Sequence, residues 1–484
     1  MRILYDKLIF DLSKKGRIGY QYKPKNLASV ELPQHLMRAK KAELPEVTEF
    51  DVVRHYTNVS QKNFGVETGF YPLGSCTMKY NPKINEELAT LSGFSQIHPL
   101  QPEETIQGLL QIYYETQEML AEVSGLKAYS LNPFAGAHGE LAGLMIIKAY
   151  HEKRNDLKRT KIIVPDSAHG TNPASATVSG FDVVEIKSNI DGTVNIDALK
   201  EVLSDEIAGL MLTNPNTAGV FEKDIVEIAD LVHGAGGLLY YDGANLNALL
   251  GKAKPGEMGF DITHINLHKT FSTPHGGGGP GSGPVGVTAE LVEFLPNPMV
   301  VKEGDRYTFK KPEDTIGQLG TFYGNTSVYI RAYVYLRTLG KEHLSKVGPL
   351  AVLNANYIKE SLKDVYELPL QGHAMHEFVF DGLKDKSTGV KTLDIAKRLL
   401  DYGYHAPTIY FPLIFPQAMM IEPTEVESKD TLDDFIQIMR QVAEEAISQP
   451  DIVKTAPHHT IVRRLDEVKA VRQPILKYKD LQTK

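Results

Sequence analysis

In the sequence ITHINLHK, residues 262–269, Lys269 comes directly after a short apolar run that predicts a strand. A second apolar run, GLLYYDGA at 237–244, carries Asp242 near its end in the same way. Upstream, three more short apolar runs alternate with helical patterns. Strands that alternate with helices predict a mostly parallel sheet covered on both faces. We therefore expect an α/β fold whose ligand-binding residues lie at the carboxyl ends of its strands.

Changes in this pattern divide the chain into segments. An amphipathic helix is predicted at 103–124, where apolar residues recur at helical spacing and Gly125 supplies a stop. A second long helix is predicted at 326–338, and beyond it helices alternate with two short strands. We expect four segments: an N-terminal arm at 1–60, a large α/β domain at 61–340, a smaller α+β domain at 341–450 and a C-terminal extension at 451–484.

The composition excludes several classes of protein. With 42% hydrophobic and 23% charged residues among 484, the chain has the balance of an ordinary globular protein. A formal charge of −8 and a pI near 6.1 give no general attraction to nucleic acid or to anionic membranes. The one cysteine, Cys76, rules out an intramolecular disulfide framework and favours a reducing compartment. We expect a cytoplasmic protein with no nucleic-acid partner and no membrane partner.

Small residues open a predicted helix in NPFAGAHGELAGL, residues 132–144. Free backbone N–H groups and the helix dipole favour an anion at such a start. Ala135, Gly136, Ala137 and His138 are therefore candidate phosphate ligands. Small residues also occur where two backbone segments pack closely together. A phosphate site is therefore supported only if other cofactor-binding residues lie near this helix start.

Polar residues at the predicted strand ends could serve a flat cofactor ring. A carboxylate such as Asp242 favours the protonated form of a pyridine nitrogen, and protonation makes the ring an electron sink. A lysine amine withdrawn from water, as expected for Lys269, is a competent nucleophile toward an aldehyde. Asn214 and His268 lie at the same predicted edge. The alternatives are a turn or capping role for the aspartate and a solvated surface charge for the lysine.

His169, in DSAHGTNPAS at 166–175, follows another predicted strand. Its imidazole could stack on a flat ring and move protons, although a lone histidine is more often structural. The glycine run after Lys269 contains a G-x-G-x-x-G match at 281–286 that opens no helix, which argues against dinucleotide binding. A phosphate cradle, a stacking histidine, an acid and a lysine in this chain order are typical of a fold-type I pyridoxal-phosphate enzyme.

Several long motifs resemble one family, the P-protein of the glycine cleavage system, in the second subunit of its split bacterial form. The resemblance runs from about residue 55 to the C-terminus. Its marks, in chain order, are ETGFYPLGSCTMKYNP, NPFAGAHGELAGL, DSAHGTNPAS, YYDGANLNALLG, INLHKTFSTPHGGGGPG, HAPTIYFPLIFPQAMMIEPTE and APHHTIVRRLDEVKA. The number and order of these motifs make the match specific.

The resemblance implies a fold-type I fold that carries pyridoxal 5'-phosphate, with no metal ligand. Lys269 would be the Schiff-base lysine, Asp242 would pair with the pyridine nitrogen, and the ring would lie between His169 and Ala244. Residues 135–138 would hold the phosphate. The remaining implied residues are Asn325 and Thr326, as weaker phosphate candidates, and Ser75, Cys76 and Thr77, near the substrate.

The reaction implied by the resemblance is the decarboxylation of glycine. The aminomethyl group would pass to the lipoamide disulfide of the H-protein with release of CO2, which makes the enzyme formally an oxidoreductase. A homologous first subunit that lacks the lysine would complete a heterodimer, doubled into a heterotetramer. The lipoylated H-protein would be a transient partner.

Two other interpretations stay open. The chain could be a simple fold-type I amino-acid decarboxylase that releases an amine, or a non-catalytic scaffold subunit, against which Lys269 argues. Cys76 suggests a mechanism that uses its thiol, but the lipoyl group already supplies the sulfur atoms of the reaction. We therefore expect Cys76 to be a small buried apolar residue near the substrate. The sequence does not decide which arginine binds the glycine carboxylate; the candidates are Arg54, Arg331, Arg463 and Arg464.

Overall fold

A computed structural model describes residues 5–19, 30–276 and 281–481 of the chain. Part of the predicted arm, the middle of the glycine run after Lys269 and the last three residues lie outside the described residues. The strands are β1 (Ala128–Ser130), β2 (Lys161–Pro165), β3 (Asp182–Ile186), β4 (Ile207–Leu212), β5 (Leu238–Gly243), β6 (Ile262–Ile265), β7 (Val285–Val287), β8 (Met299–Glu303), β9 (Arg306–Lys310), β10 (Phe378–Asp381), β11 (Thr408–Ile409) and β12 (Ala418–Ile421).

The α-helices alternate with these strands over the middle of the chain and are more frequent towards its end. They are α1 (Glu49–Ser60), α2 (Lys83–Ala89), α3 (Ser92–Ser95), α4 (Gln107–Ser124), α5 (Gly136–Lys153), α6 (Thr171–Val178), α7 (Ile196–Val202), α8 (Ile225–Gly234), α9 (Thr326–Leu362), α10 (Thr392–Asp401), α11 (Lys429–Ser448), α12 (Pro450–Lys454), α13 (Glu467–Arg472) and α14 (Tyr478–Leu481). Within the described residues, no helix combines the length and the apolar content that a membrane span requires.

The large sheet has seven strands in the order β1-β7-β6-β5-β4-β2-β3. Strands β2 to β6 run parallel, and β7 is antiparallel to both of its neighbours. All residues of β4 and β5 are buried, as expected for central strands covered on both faces. Each of the five strands expected from the apolar runs is present, so the prediction of a mostly parallel α/β sheet is confirmed.

The carboxyl ends of the parallel strands meet at one edge of this sheet. Strand β5 ends with Asp242 and Gly243, and β6 ends four residues before Lys269. His169 lies between β2 and α6. Because neighbouring parallel strands are in register, residues distant in sequence come together at this edge, as expected for a site in an open α/β sheet.

A smaller antiparallel sheet, in the order β10-β12-β11, packs with α10 and α11 around its own apolar core. Helix α9 joins the two regions: its first part packs in the core of the large sheet, and residues from Ala355 onward pack in the smaller core. Gly340 interrupts α9 with φ 60° and ψ −178°. The helix predicted at 326–338 is therefore correct in position but continues to Leu362 after this break.

Two other elements refine the sequence-based expectations. Helix α4 begins at Gln107 rather than at 103, and it ends before Gly125, whose φ of 74° gives the left-handed cap that favours glycine. Helix α1 lies inside the segment expected to be an extended arm. Its start carries a capping box, in which Thr48 accepts from the Asp51 N–H and Asp51 accepts from the Thr48 N–H.

Candidate active site

A cavity of about 190 Å³ lies at the carboxyl edge of the large sheet. Residues from both sheets and from the loop before α2 line it. The structure brings seven of the residues predicted from sequence to its walls: Lys269, His169, Asp242, Ala244, Gly136, Ala137 and Ser75. A lysine, an acid, an imidazole and a helix start therefore share one cavity.

Lys269 follows β6 and is partly buried in this cavity. Its backbone is fixed at both sides, since its N–H donates to Asn266 O at 3.1 Å and its carbonyl accepts from Ser272 N–H at 3.2 Å. Its Nζ makes no hydrogen bond or ion pair to any residue that the structure describes. The amine is therefore available to a carbonyl group that enters the cavity.

Asp242 is buried at the end of β5, where three neighbours surround its carboxylate. Asn172 Nδ2 donates to Oδ2 at 2.9 Å, the Ala244 N–H donates to Oδ1 at 3.1 Å, and His264 Nε2 lies 3.5 Å from Oδ1. Burial alone raises the pKa of Asp242, but His264, the Asn172 hydrogen bond and the Lys269 charge outweigh burial and lower it. An anionic Asp242 suits a partner that carries a proton on a ring nitrogen.

Glu140, on α5, connects Asp242 to His169. Asn172 Nδ2 donates to Glu140 as well as to Asp242, and Thr171 Oγ1 donates to Glu140 at 2.8 Å while lying 2.7 Å from His169 Nδ1. Burial and the charge of Asp242 raise the pKa of Glu140 to about 7. The buried network therefore fixes the imidazole and the strand-end acid relative to each other.

The start of α5 forms the opposite type of environment, one suited to an anion. The first turn of a helix leaves backbone N–H groups without intrahelical acceptors, and Gly136 and Ala137 face the cavity there. A Cβ on Gly136 would lie 2.6 Å from Asn266 Oδ1, a buried atom that has no partner within the described chain. Close backbone approach and the free N–H groups of the first helical turn fit a bound group with a phosphate.

The other predicted residues do not line the cavity, and most of their side chains contact nearby residues. His138 accepts from Phe134 N–H and stacks on the Phe134 ring. The remaining contacts are Asn214 with the backbone of Glu222, His268 with the Ser282 N–H, Asn325 with Phe134 O and Gly281 O, Thr326 with the Tyr113 hydroxyl, and Thr77 with Glu422. Ala135 caps the start of α5, and Cys76 is partly buried beside Ser75.

The loop from Ser75 to Thr77 approaches the cavity in an unusual backbone conformation. Ser75 and Thr77 have φ values of 63° and 52°, in the left-handed region that non-glycine residues rarely adopt. Two buried carboxylates hold this conformation: Glu377 accepts from the Ser75 N–H at 2.7 Å, and Glu422 accepts from the Thr77 N–H at 2.9 Å. The substrate residues predicted here therefore depend on acids that sequence analysis did not identify.

No arginine lines the cavity within the described chain. Three of the four candidates are engaged elsewhere: Arg331 pairs with Glu86, Arg463 donates to Pro457 O, and Arg464 pairs with Asp394. Arg54 lies over the Phe50 ring at 3.7 Å. The wall instead contains residues that the sequence analysis did not select: Glu140, Thr171, Thr213, His264, Asn266, Asn245, His376 and Glu377.

A signal for part of this missed set was present in the sequence. Glu140 and Thr171 lie within the motifs NPFAGAHGELAGL and DSAHGTNPAS, each a few residues from a selected residue. Since one turn of α5 separates Gly136 from Glu140, helical periodicity places both on one face. His376 and Glu377 had no comparable signal, because they reach the cavity from the smaller sheet.

Comparisons with known proteins agree with this geometry. Residues 16–309 match the family described as "Glycine cleavage system P-protein", and residues 347–461 match "Glycine dehydrogenase, C-terminal domain". Proteins named "Probable glycine dehydrogenase (decarboxylating) subunit 2" are 61% identical in Alkaliphilus oremlandii, covering 99% of both chains, and 60% identical in Caldanaerobacter subterraneus subsp. tengcongensis, covering 98% of this chain and 99% of the relative.

A solved structure shares the fold. The inhibitor-bound crystal structure of a glycine decarboxylase (P-protein) of the glycine cleavage system matches with a TM-score of 0.71 and 21% identity, over 85% of this chain and 93% of that one. The expectation of a fold-type I architecture is thereby confirmed. The family match covers more than half of the described sequence, and the chain belongs to the P-protein family of the glycine cleavage system.

Proposed function

We propose that this chain is the pyridoxal-phosphate-bearing subunit of a glycine-decarboxylating enzyme, which passes the aminomethyl group to the lipoamide disulfide of the H-protein and releases CO2. The observation that carries this proposal is the single cavity that holds Lys269, Asp242, His169 and the start of α5. The relatives named glycine dehydrogenase (decarboxylating) support glycine as the substrate. Membership of the P-protein family supports the cofactor and the carrier.

When bound, pyridoxal phosphate accepts the electrons released as the substrate carboxylate leaves. Lys269 would bind the aldehyde carbon through its unpaired Nζ. Asp242 would hold a proton at the pyridine nitrogen, since its pKa stays low despite burial. His169 and Ala244 would cover the two ring faces, and the N–H groups of Gly136 and Ala137 would bind the phosphate.

His169 is also placed to hold or move a proton. Burial lowers the pKa of its imidazole, and Thr171 fixes its Nδ1 at 2.7 Å. A neutral imidazole keeps one nitrogen able to accept a proton. The same ring would therefore both orient the cofactor and serve acid–base steps in the substrate cavity.

A homologous first subunit is the proposed stable partner. Relatives carry the designation subunit 2, which supports a split enzyme. Both ends of the chain expose apolar side chains: Val30, Leu32, Leu36, Met37 and Leu44 near the N-terminus, and Leu465, Val468, Val471 and Leu476 near the C-terminus. Such surface fits a large obligate interface, in a heterodimer that doubles into a heterotetramer. The segment divisions at 60, 340 and 450 and a cytoplasmic location stay predictions.

The direct test of cofactor attachment is borohydride reduction of the purified protein with added pyridoxal phosphate, followed by peptide mapping. We expect a single modified peptide that contains Lys269. The control is Lys252→Ala, which removes an exposed lysine and should leave the modified peptide unchanged. Modification of a different lysine in the wild-type protein would contradict the assignment.

The test of the reaction is exchange of label between glycine and bicarbonate. It is measured for this chain alone, with the first subunit, and with lipoylated H-protein added to each. We expect full exchange only when both subunits and the carrier are present. Full exchange by the chain alone would contradict the split enzyme, and carrier-independent release of methylamine would favour a simple decarboxylase.

A further inference from the structure

Glu377 and Glu422 are two buried acids beside the cavity whose charges the proposed mechanism does not use. Glu377 precedes β10 and Glu422 follows β12. Because Phe378 pairs with Ile421 in the antiparallel ladder, the two glutamates occupy the next facing positions across the strands. Both are almost completely buried, with 3% and 0% of their surfaces exposed. Two like charges in such positions repel each other, and burial strengthens the repulsion.

The hydrogen bonds distinguish the two carboxyl groups. Glu422 accepts three: from the Thr77 N–H at 2.9 Å, from the Thr77 hydroxyl at 2.7 Å and from Asn245 Nδ2 at 2.8 Å. Glu377 accepts one, from the Ser75 N–H at 2.7 Å. Several donors favour the ionised form of a carboxyl group, whereas a group with one donor loses less when it is protonated.

We propose that Glu377 and Glu422 share a single proton, held on Glu377, and that this pair positions the Ser75–Thr77 loop against the cavity. The backbone of Ser75 and Thr77 requires such support, because both residues have left-handed φ values. Leu73 forms a bridge with Ile421, and Thr408 Oγ1 donates to Gly74 O at 2.8 Å. These contacts attach the loop to the edge of the smaller sheet, and the hydrogen bonds to Glu377 and Glu422 hold it there.

The charged and titratable groups around the pair fit one negative charge rather than two. Burial, and then the charge of Glu422, raises the pKa of Glu377 well above its ordinary value. Burial lowers the pKa of the adjacent His376 to about 3, so that ring is neutral at physiological pH. Cys76 is also neutral there, since burial raises the pKa of its thiol. Burial raises the pKa of Glu422 as well, but the hydrogen bonds from Thr77 and Asn245 and the charge of Lys269 oppose that rise.

A divalent cation is the competing explanation for a cluster of this type. His376, Glu377 and Glu422 each offer one ligand atom, and these atoms lie within 4.8 Å of one another. The Glu422 oxygens, however, already accept three hydrogen bonds, and the charge of Lys269 opposes a second cation nearby. These contacts favour the proton, and the experiment below separates the two cases.

The first experiment measures amide hydrogen exchange, by mass spectrometry, in the peptide that covers residues 74–78. The proteins are wild type, Glu377→Gln, Glu422→Gln and the exposed control Glu444→Gln, each with and without pyridoxal phosphate at neutral pH. Glutamine resembles a neutral acid, so Glu377→Gln should retain the protection of the wild type. Glu422→Gln removes the charge that accepts hydrogen bonds from Thr77 and Asn245 and places an amide NH2 group against these donors. Hydrogen exchange in the 74–78 peptide of this variant should therefore rise about tenfold or more.

The second experiment locates the proton directly. The infrared difference spectrum of the wild-type protein minus Glu377→Gln at neutral pH should contain the carbonyl stretch of a neutral carboxylic acid, and the difference spectrum of wild type minus Glu444→Gln should not; the partly protonated Glu140 contributes equally to all three proteins and cancels. The infrared comparison does not require the Glu422→Gln variant, so it tests the proposal even if that variant fails to fold. Absence of the band assigned to Glu377 would overturn the proposal. Faster exchange in Glu377→Gln together with wild-type exchange in Glu422→Gln would also overturn the proposal. So would an increase in the exchange of the wild-type protein when a chelator is added.

Only the identification of the cavity as an active site rests on the proposed function. Neither exchange nor the infrared band requires turnover, so the positioning role can fail while the enzyme assignment holds. A turnover defect in Glu422→Gln with unchanged loop exchange would assign that residue a role other than positioning.

Discussion

The two walls of the cavity reach it in different ways. One wall is built on the large sheet, where Asp242 lies at the end of β5 and Lys269, 27 positions later in the sequence, follows the neighbouring parallel strand β6. The other wall joins the Ser75 loop to Glu377, across 302 positions. The first wall follows from the rule that parallel strands align their carboxyl ends. The second depends on how the smaller sheet packs, which no local pattern specifies.

The largest effect is expected on the first wall, from Lys269→Ala. The structure places no other lysine in the cavity among the described residues, so no amine replaces it. We expect loss of the visible absorbance of bound cofactor and of nearly all turnover. Lys252→Ala is the matched control. A normal visible spectrum in Lys269→Ala would refute the central role of this wall.

Asp242→Asn should have the next largest effect. The change keeps the size of the side chain but removes the charge that favours a proton on the ring nitrogen. We expect turnover to fall by roughly a hundredfold or more, on the scale of removing one preorganised electrostatic group, with a smaller loss of cofactor affinity. The comparison is with Asp197→Asn, at an exposed position. Equal turnover in the two variants would contradict the proposed electron sink.

Glu140→Gln tests a residue of the first wall that the sequence analysis missed. Its folded-state pKa is raised to about 7, above the ordinary 4.5, so the folded protein binds this proton more tightly than the unfolded chain. Stability therefore declines as pH rises from about 4.5 to about 7, by on the order of 3 kcal/mol, since each pKa unit corresponds to about 1.4 kcal/mol. The glutamine variant should lack this part of the decline in stability with pH.

Urea unfolding of wild type and Glu140→Gln, measured at several pH values between about 5 and about 8, checks this prediction. The exposed Glu118→Gln serves as the control and should retain the wild-type slope. Parallel pH profiles for all three proteins would show that Glu140 does not carry the buried proton.

The smallest effect is expected from His169→Ala. Removing one ring face should weaken cofactor binding by about 1 kcal/mol, by analogy with other aromatic contacts. If His169 also moves protons, the loss in turnover will exceed the loss in affinity. Cofactor titration and steady-state kinetics measure the two quantities, with the exposed His343→Ala as the control. Wild-type values for both would place His169 outside the functional part of the wall.

The contrast between the walls also explains which features could be predicted from sequence. The apolar runs of β2 to β6 are short, buried and bounded by polar residues, so their identity and parallel arrangement followed from the pattern. The hairpin of β8 and β9 has a mixed burial pattern and was missed. Helix α1 was missed, although its capping box was a usable signal.

The candidate site shows the same contrast between local sequence pattern and tertiary packing. Lys269, Asp242 and His169 were selected individually, and the structure places all three around one cavity. Asn214 and His268 were selected by position alone; their side chains bind neighbouring backbone, and their part in cofactor binding stays a prediction. Glu377 and Glu422 could not be selected, because a glutamate at a strand end is usually solvated and only the tertiary packing buries it.

Cys76 gives this protein a built-in attachment point for a spectroscopic probe. It is the sole cysteine of the chain and lies between Ser75 and Thr77, the two left-handed residues of the loop. Cys76 is partly exposed, and because burial raises the pKa of its thiol, coupling with a maleimide or iodoacetamide dye would proceed faster in alkaline buffer. A fluorophore attached there would report loop movement in real time without any engineered residue.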